Sequence, residues 1–434
     1  MTDSKSGVLS TWKESLTDGN PRRLLVMSLI DSLGTGLYIA GSVIFFTQKI
    51  GLSAAQVGLG LSIASVVGFA GVVPSGWVAE RFGTWGTLLV FDVWRLIGFA
   101  SYVFVRSFPS FLVLVCFLSI PEQAVNPLMQ RLVEQVVGPE RRTVMMGKIR
   151  TIYNVGFTLG APLSGLAVKF NTSAGYNSLM LGDAITYAFA AILLYRLRDV
   201  PGVRRPRRAA RAAGADGAAG PARPPRFSVR ALRDGRYMSA AAVNGVLSLH
   251  MSILSIALPL WIIMDTRVPR YAVGPLLVIN TALVIPLQVP ASALAKSIDK
   301  SIGIMRVAGA SLAACCVLLA VSARLPLVPA LAALAGAVAF LTFGEIAQSA
   351  GGWTLAYEMA PPEGRAQALA TFGLSTSAQF IVGPLLLTDL VIAHGSVGWL
   401  FLAAVFLACA LLMRVLIRGQ ADRTPSARPS RSPP

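Results

Sequence analysis

Apolar residues run along this chain in windows of twenty or more, separated by short polar breaks, with one long polar interruption between Asp199 and Asp234. Roughly 20 mostly apolar residues make a helix that crosses about 30 Å of hydrocarbon, so each window predicts a membrane-spanning helix. Twelve are predicted, near 22–47, 55–79, 85–106, 109–133, 147–169, 175–196, 237–263, 271–293, 303–323, 327–352, 366–390 and 395–417. The long interruption divides them six and six. The expected fold is an all-α membrane protein of two six-helix bundles, 22–198 and 236–418. These are flanked by a cytoplasmic segment 1–21 and a disordered tail 419–434, and joined by a flexible linker 199–235.

Composition agrees with that pattern. With 54% hydrophobic and 13% charged residues and a mean hydropathy of +0.65, the chain does not have the balance of a water-soluble globule. Its polar start lacks an apolar core ahead of a small-residue cleavage site, so the first span is expected to direct insertion itself. The formal charge of +18 could suggest nucleic acid until the basic residues are placed on the twelve spans. With both termini cytoplasmic, 31 Lys and Arg lie inside, 6 outside, and Arg95 within a span. That bias obeys the positive-inside rule, so the charge is topogenic and no nucleic-acid partner is expected. Twelve of these arginines fall between Arg196 and Arg236, in a stretch rich in Ala, Gly and Pro without apolar periodicity. The use of 31 Arg against 7 Lys points to a high-GC bacterium and its inner membrane. Cys116, Cys315, Cys316 and Cys409 all fall inside predicted spans without metal-ligand or redox spacing, so they read as packing residues. No metal, nucleotide or nucleophile motif and no sign of a cofactor is read in the sequence, and the absence of a Gly-Lys-Ser/Thr loop argues against ATP-driven transport.

The two halves repeat. A shift of 223 residues lays Glu122 on Glu345, Pro139 on Pro362, Glu140 on Glu363, Arg142 on Arg365 and Gly160 on Gly383. A shift of 219 lays the acid-base step Glu80-Arg81 on Asp299-Lys300. Matches at equivalent points of two six-span halves indicate a duplicated, pseudo-symmetric architecture.

The stretch GWVAERFG resembles the loop between spans two and three of the major facilitator superfamily, a Gly-x-x-x-Asp-Arg-x-Gly pattern. Gly76, Arg81 and Gly83 match it, with Glu80 in place of Asp. The resemblance implies a cytoplasmic gating latch of Gly76, Glu80, Arg81 and Gly83, with Asp299 and Lys300 as its counterpart. In NVGFTLGAPLSG of span five, Gly156, Gly160 and Gly165 are similar to the signature of the superfamily's drug:proton antiporters, with Pro162 displaced by one position and Ser164 replacing a glycine. Glycines four apart also serve plain helix packing, as do Gly383 and Pro384 in span eleven.

Charges inside the spans need a reason, because each costs about 2.5 to 3.5 kcal/mol near a helix centre unless neutralised, paired or hydrated. Asp31 is followed by Thr35 and Tyr38, Glu122 by Asn126 and Gln130, and Glu345 by Gln348 and Ser349, so each acid heads a polar stripe. The resemblance implies that spans 1, 4, 7 and 10 line a central cavity, which places Asp31, Glu122 and Glu345 there, with Asn244 and His250 from span seven. A desolvated carboxyl favours its neutral form, so these acids could carry protons or be hydrogen-bonded for good. His250 is either a hydrogen-bonded cavity residue or a proton carrier. Asp92 and Arg95, three apart on span three, read as a structural pair at the periphery, with Arg95 reaching toward Asp31 as the alternative. Asp183 in span six reads as a packed residue. The resemblance points to a monomeric secondary transporter exporting an amphipathic or cationic small organic molecule in exchange for protons, a multidrug-type efflux antiporter. Asp31 is then expected to couple, and Glu122 and Glu345 to set substrate affinity. A proton-coupled nutrient uptake symporter is the alternative, ahead of a membrane sensor or an embedded enzyme, which would leave the repeat architecture unused.

Overall fold

Helix ends fall where capping and glycine chemistry allow. Ser53 and Gln56 form a reciprocal capping box at the start of the second span. Gly83 (φ +92°) and Gly138 (φ +82°) turn the chain between spans two and three and between spans four and five, in a region where L side chains are strained. Asp234 accepts from the backbone N–H groups of Arg236 and Tyr237 and starts the seventh span.

The computed structural model describes residues 17–169, 172–198, 200, 234–295, 297–360 and 365–418. The first sixteen residues, nearly all of the predicted linker, the predicted tail, and Pro362 and Glu363 of the repeat lie outside the described residues. The first six helical rods are α1 (Gly19–Ile44, continued by a π-helical turn Phe45–Lys49), α2 (Ala54–Phe82), α3 (Thr84–Ser101), α4 (Phe108–Val137), α5 (Pro139–Lys169) and α6 (Ser173–Tyr195). Those of the second half are α7 (Gly235–Leu247, resuming through a π turn Ile253–Ala257 to Leu258–Asp265), α8 (Val273–Leu294), α9 (Ile298–Ser322), α10 (Leu327–Glu358), α11 (Arg365–Leu386, with a π turn Leu387–Ile392) and α12 (Ser396–Arg418). Eleven of the twelve are long and apolar enough to cross a membrane. The other is α5, which carries Glu140, Arg141, Arg142, Lys148 and Arg150 in its first half.

Packing repeats with the sequence. Within the first half α1 lies on α5 and α6, α2 on α4, and α3 on α4 and α6. Within the second, α7 lies on α11 and α12, α8 on α10, and α9 on α10 and α12, the same pattern six helices later. The halves meet along α2 with α11 and α5 with α8. This is the twelve-helix, two-bundle fold expected from the hydropathy pattern.

The glycines of span five sit in these contacts. A Cβ at Gly156 would lie 2.6 Å from the Leu29 carbonyl oxygen and one at Gly160 2.1 Å from that of Leu33, so both let α5 approach α1. Gly383 of α11 meets Ser252 of α7 in the equivalent place, where an added Cβ would lie 2.7 Å from Ser252 Oγ. A Cβ at Gly165 would instead lie 2.8 Å from the Tyr271 carbonyl oxygen across the halves, and one at Gly274 of α8 would lie 3.2 Å from Pro162. Gly160→Ala is therefore expected to push α1 from α5 and cost about 1–3 kcal/mol, read as a lower melting temperature of the purified protein. An unchanged melting temperature would mean that the two backbones separate without cost.

Among the described residues, polar contacts join the halves at one end. Where α1 ends and α8 begins, Arg270 Nη1 donates to the Tyr176 hydroxyl (3.0 Å) and to Gln48 Oε1 (3.4 Å). Beside them Lys49 donates to Asn177 and lies over the Phe45 ring. Ser62 Oγ of α2 accepts from the Leu385 backbone N–H of α11, and Gly58 lies close to Pro384 and Thr388. Toward the opposite end, which holds the first turns of α1 and the last of α12, Gly147 of α5 and Gly373 of α11 face open space.

Candidate functional site

Arg95 points inward from α3 and is 5% exposed. Its Nη2 donates to Asp92 Oδ1 at 2.7 Å. Its Nη1 lies 3.5 Å from Asp31 Oδ1 of α1 and 3.5 Å from Glu122 Oε1 of α4. The guanidinium stacks over the Tyr187 ring of α6, 4.1 Å to its centroid, and the Tyr187 hydroxyl donates to Glu122 Oε1 at 3.4 Å. The Asp92–Arg95 pair is thus present but not peripheral in its contacts. A long side chain on an outer helix reaches the bundle interior and gathers acids from two others.

Burial divides the acids. The Asp92 side chain is 7% exposed, those of Asp31 and Glu122 28% and 42%. Asp31, Asp92 and Arg95 line a cavity of about 90 Å³ together with Ser28, Asn126 and Tyr153, floored by Met27, Leu88, Met129 and Ile149. All its walls belong to the first half. Asp31 Oδ1 and Arg95 Nε are buried without a hydrogen-bond partner. Asp183, expected to pack, is 1% exposed and accepts from the Thr186 hydroxyl at 3.4 Å, with its other oxygen unpartnered.

Other predicted residues fall elsewhere. Tyr38, seven residues from Asp31, packs edge-on against Phe99 (5.0 Å) and beside Tyr102 rather than joining the acid. Thr35 donates to the Asp31 backbone carbonyl at 2.9 Å. Glu345 is in the other half, where Asn280 of α8 donates to it at 2.8 Å and to Thr342 at 3.0 Å. Glu122 and Glu345 thus stand on α4 and α10, equivalent helices of the two halves, as the repeat requires.

The second half carries a neutral network. Asn244 donates to Ser375 Oγ (3.0 Å), and its Oδ1 accepts from Gln348 Nε2 (2.7 Å). In that orientation Gln348 Oε1 faces His250 Nε2 at 3.3 Å, a contact that a ring hydrogen on Nε2 would bridge. His250 is 3% exposed. Ser252 donates to the buried Gln379 at 2.9 Å. Sequence reading missed Tyr153, Tyr187, Asn280, Ser375 and Gln379; only their polarity within apolar spans marks them.

At the end of α2, Glu80 lies 3.9 Å from Arg131 of α4 and Arg81 stacks on the Phe82 ring, both contacts within the first half. Gly76 faces open space. Asp299 and Lys300 begin α9, where Ser297 caps the Lys300 N–H.

Comparison with known proteins places this architecture. Residues 24–362 match the Major Facilitator Superfamily profile, well over half of the chain. The chain belongs to the Major Facilitator Superfamily. Among solved structures, this facilitator is similar to a crystal structure of nucleoside transporter NupG, with 13% identity, TM-score 0.72, and coverage of 92% of this chain and 100% of that one. It is also similar to an auto-inhibited POT family peptide transporter, with 17% identity, TM-score 0.69, and coverage of 96% and 99%. A POT family transporter in complex with 5-aminolevulinic acid matches at 14% identity and TM-score 0.69, covering 91% and 95%. A search of curated protein sequences returned no match. The protein is a multi-pass membrane transporter of the facilitator type.

Proposed function

We propose that this facilitator exports a cationic or amphipathic small organic molecule from the bacterial cytoplasm in exchange for protons. One observation carries the reading: a single guanidinium holds three carboxylates at a membrane-buried site, two of them open to water. With all three ionised the group has excess negative charge, which a proton or an organic cation can relieve, and competition between the two is the chemistry of antiport. The basic residues of the first and last turns make the open end cytoplasmic. The described state then faces inward, with Arg270 closing the outside.

A second reading, proton-coupled uptake, is favoured by the neutral donors and acceptors of Asn244, Gln348 and Ser375, which suit a polar nutrient. The nucleoside and peptide transporters of similar fold point the same way. Everted vesicles separate the two. Antiport accumulates ethidium in an acid lumen and loses it on adding a protonophore. Release of ethidium along the proton flow would support symport, and flux indifferent to the gradient would defeat both.

Arg270→Ala removes the hydrogen bonds that close the outside, worth about 0.5–1.5 kcal/mol each. Spin labels on the outer ends of α2 and α11 are expected to show the longer-distance population rising several-fold. An unaltered distance distribution would assign closure to the helix contacts alone.

A further inference from the structure

We infer that the cluster around Arg95 stores two exchangeable protons, on Asp31 and Glu122, and so exchanges two per transport cycle. This rests on the proton-coupled reading and adds a stoichiometry to it.

The geometry separates one satisfied pair from two loose contacts. Asp92 takes a charge-assisted hydrogen bond from Nη2 at 2.7 Å and is nearly without water. Asp31 and Glu122 both lie 3.5 Å from the other nitrogen, Nη1, beyond a good hydrogen bond for either. Two carboxylates sharing one donor at that length repel each other more than either gains from it. The guanidinium already balances Asp92, so the cluster becomes neutral when Asp31 and Glu122 each bind one proton. Asp31 and Glu122 are also the more exposed side chains, which favours proton exchange, whereas Asp92 is nearly enclosed.

Arg95 is the cation that pairs with all three carboxylates. From α6 come Tyr187, which donates to Glu122, and Asp183, which accepts from Thr186. From α5 comes Tyr153 at the cavity wall; Arg150, three residues before it, is exposed. A metal ion in place of the protons would have to sit beside the fixed positive charge of Arg95, whereas protons bind on the carboxyl oxygens themselves. In each exchange an O–H bond forms on Asp31 or Glu122 as water delivers a proton, and breaks when the proton returns to water. Two protons against a monovalent cation move one net positive charge into the cell, so such export responds to membrane potential as well as to pH.

The test counts protons without a transported ligand. The infrared carbonyl band of protonated carboxyls is recorded on the purified full-length protein, with Asp183→Asn measured to identify that acid's share. Asp31→Asn and Glu122→Gln are each expected to remove a share of the band equal to that removed by Asp183→Asn. If neither variant, or only one, changes the band, the two-proton store is wrong. Should a variant not fold, Asp31→Glu and Glu122→Asp, which keep the acid, are expected each to move one share of the band, and an unmoved band refutes the store. Ethidium flux in vesicles is scored separately: a two-proton band with gradient-independent flux would preserve the store and refute the transport reading.

Discussion

Replacing Arg95 by methionine is expected to cost more than neutralising any one of its partners. The side chain is 5% exposed and touches Asp31, Asp92, Glu122 and the Tyr187 ring. Methionine of similar length fills the space but leaves three carboxyls with no cation among them. Breaking a buried pair by removing one partner costs on the order of 3–5 kcal/mol, because the charge left behind stays desolvated. Asp92→Asn, by contrast, leaves Arg95 with two other acids. Arg95→Lys is not expected to rescue the loss, since an ammonium cannot place separate nitrogens against Asp92 and against the Asp31 and Glu122 pair, nor stack flat on Tyr187. Thermal unfolding in detergent and ethidium flux in vesicles measure the two consequences. Wild-type melting and wild-type coupling in Arg95→Met would remove Arg95 from the centre of the mechanism.

Asp31→Asn should abolish gradient-driven accumulation while sparing downhill exchange. Asp31 lies in the first half of the α1 rod, at the wall of the cavity and against Nη1. An amide there keeps the shape and part of the hydrogen bonding but cannot ionise, so proton and substrate no longer compete for it. A coupling free energy of about 1–3 kcal/mol corresponds to roughly 5- to 150-fold in linked affinity, and that linkage is what the substitution removes. The check is flux in proteoliposomes with and without an imposed pH gradient, beside substrate-free proton counts. Full accumulation by Asp31→Asn would transfer the coupling role to Glu122.

The spans were legible because a bilayer demands long apolar runs, and their ends were less so for the same reason. Helix α10 continues to Glu358 where hydropathy stops near 352, and α5 begins at Pro139 rather than 147, since both extend beyond the hydrocarbon with polar residues that a hydropathy window rejects. Asp31 and Glu122 stood out as charges in apolar surroundings. Their meeting on Arg95 did not, because it depends on how α1, α3 and α4 rotate against one another. Tyr38 shows the limit of single-helix reasoning: seven residues keep it on the face of Asp31, but about 10 Å farther along the axis its neighbours are Phe99 and Tyr102. Gln348 and Asn244 were legible as polar residues, whereas Gln379 and Asn280 acquire their partners only across helices.

The outer closure is built from arginine, glutamine and tyrosine, side chains whose charge state does not change near neutral pH. On the proposed orientation these contacts do not themselves titrate with external acid. Asp31, an acid of the cluster, lies in the same helix as Gln48, α1, about 26 Å away. Whatever protonation does at one end must reach the other as displacement of that rod, passing the glycines Gly36 and Gly41 where it beds against α5 and α6. The stiffness of α1, more than the strength of any contact it makes, then sets how faithfully a chemical event in the bundle becomes a mechanical one at the membrane surface.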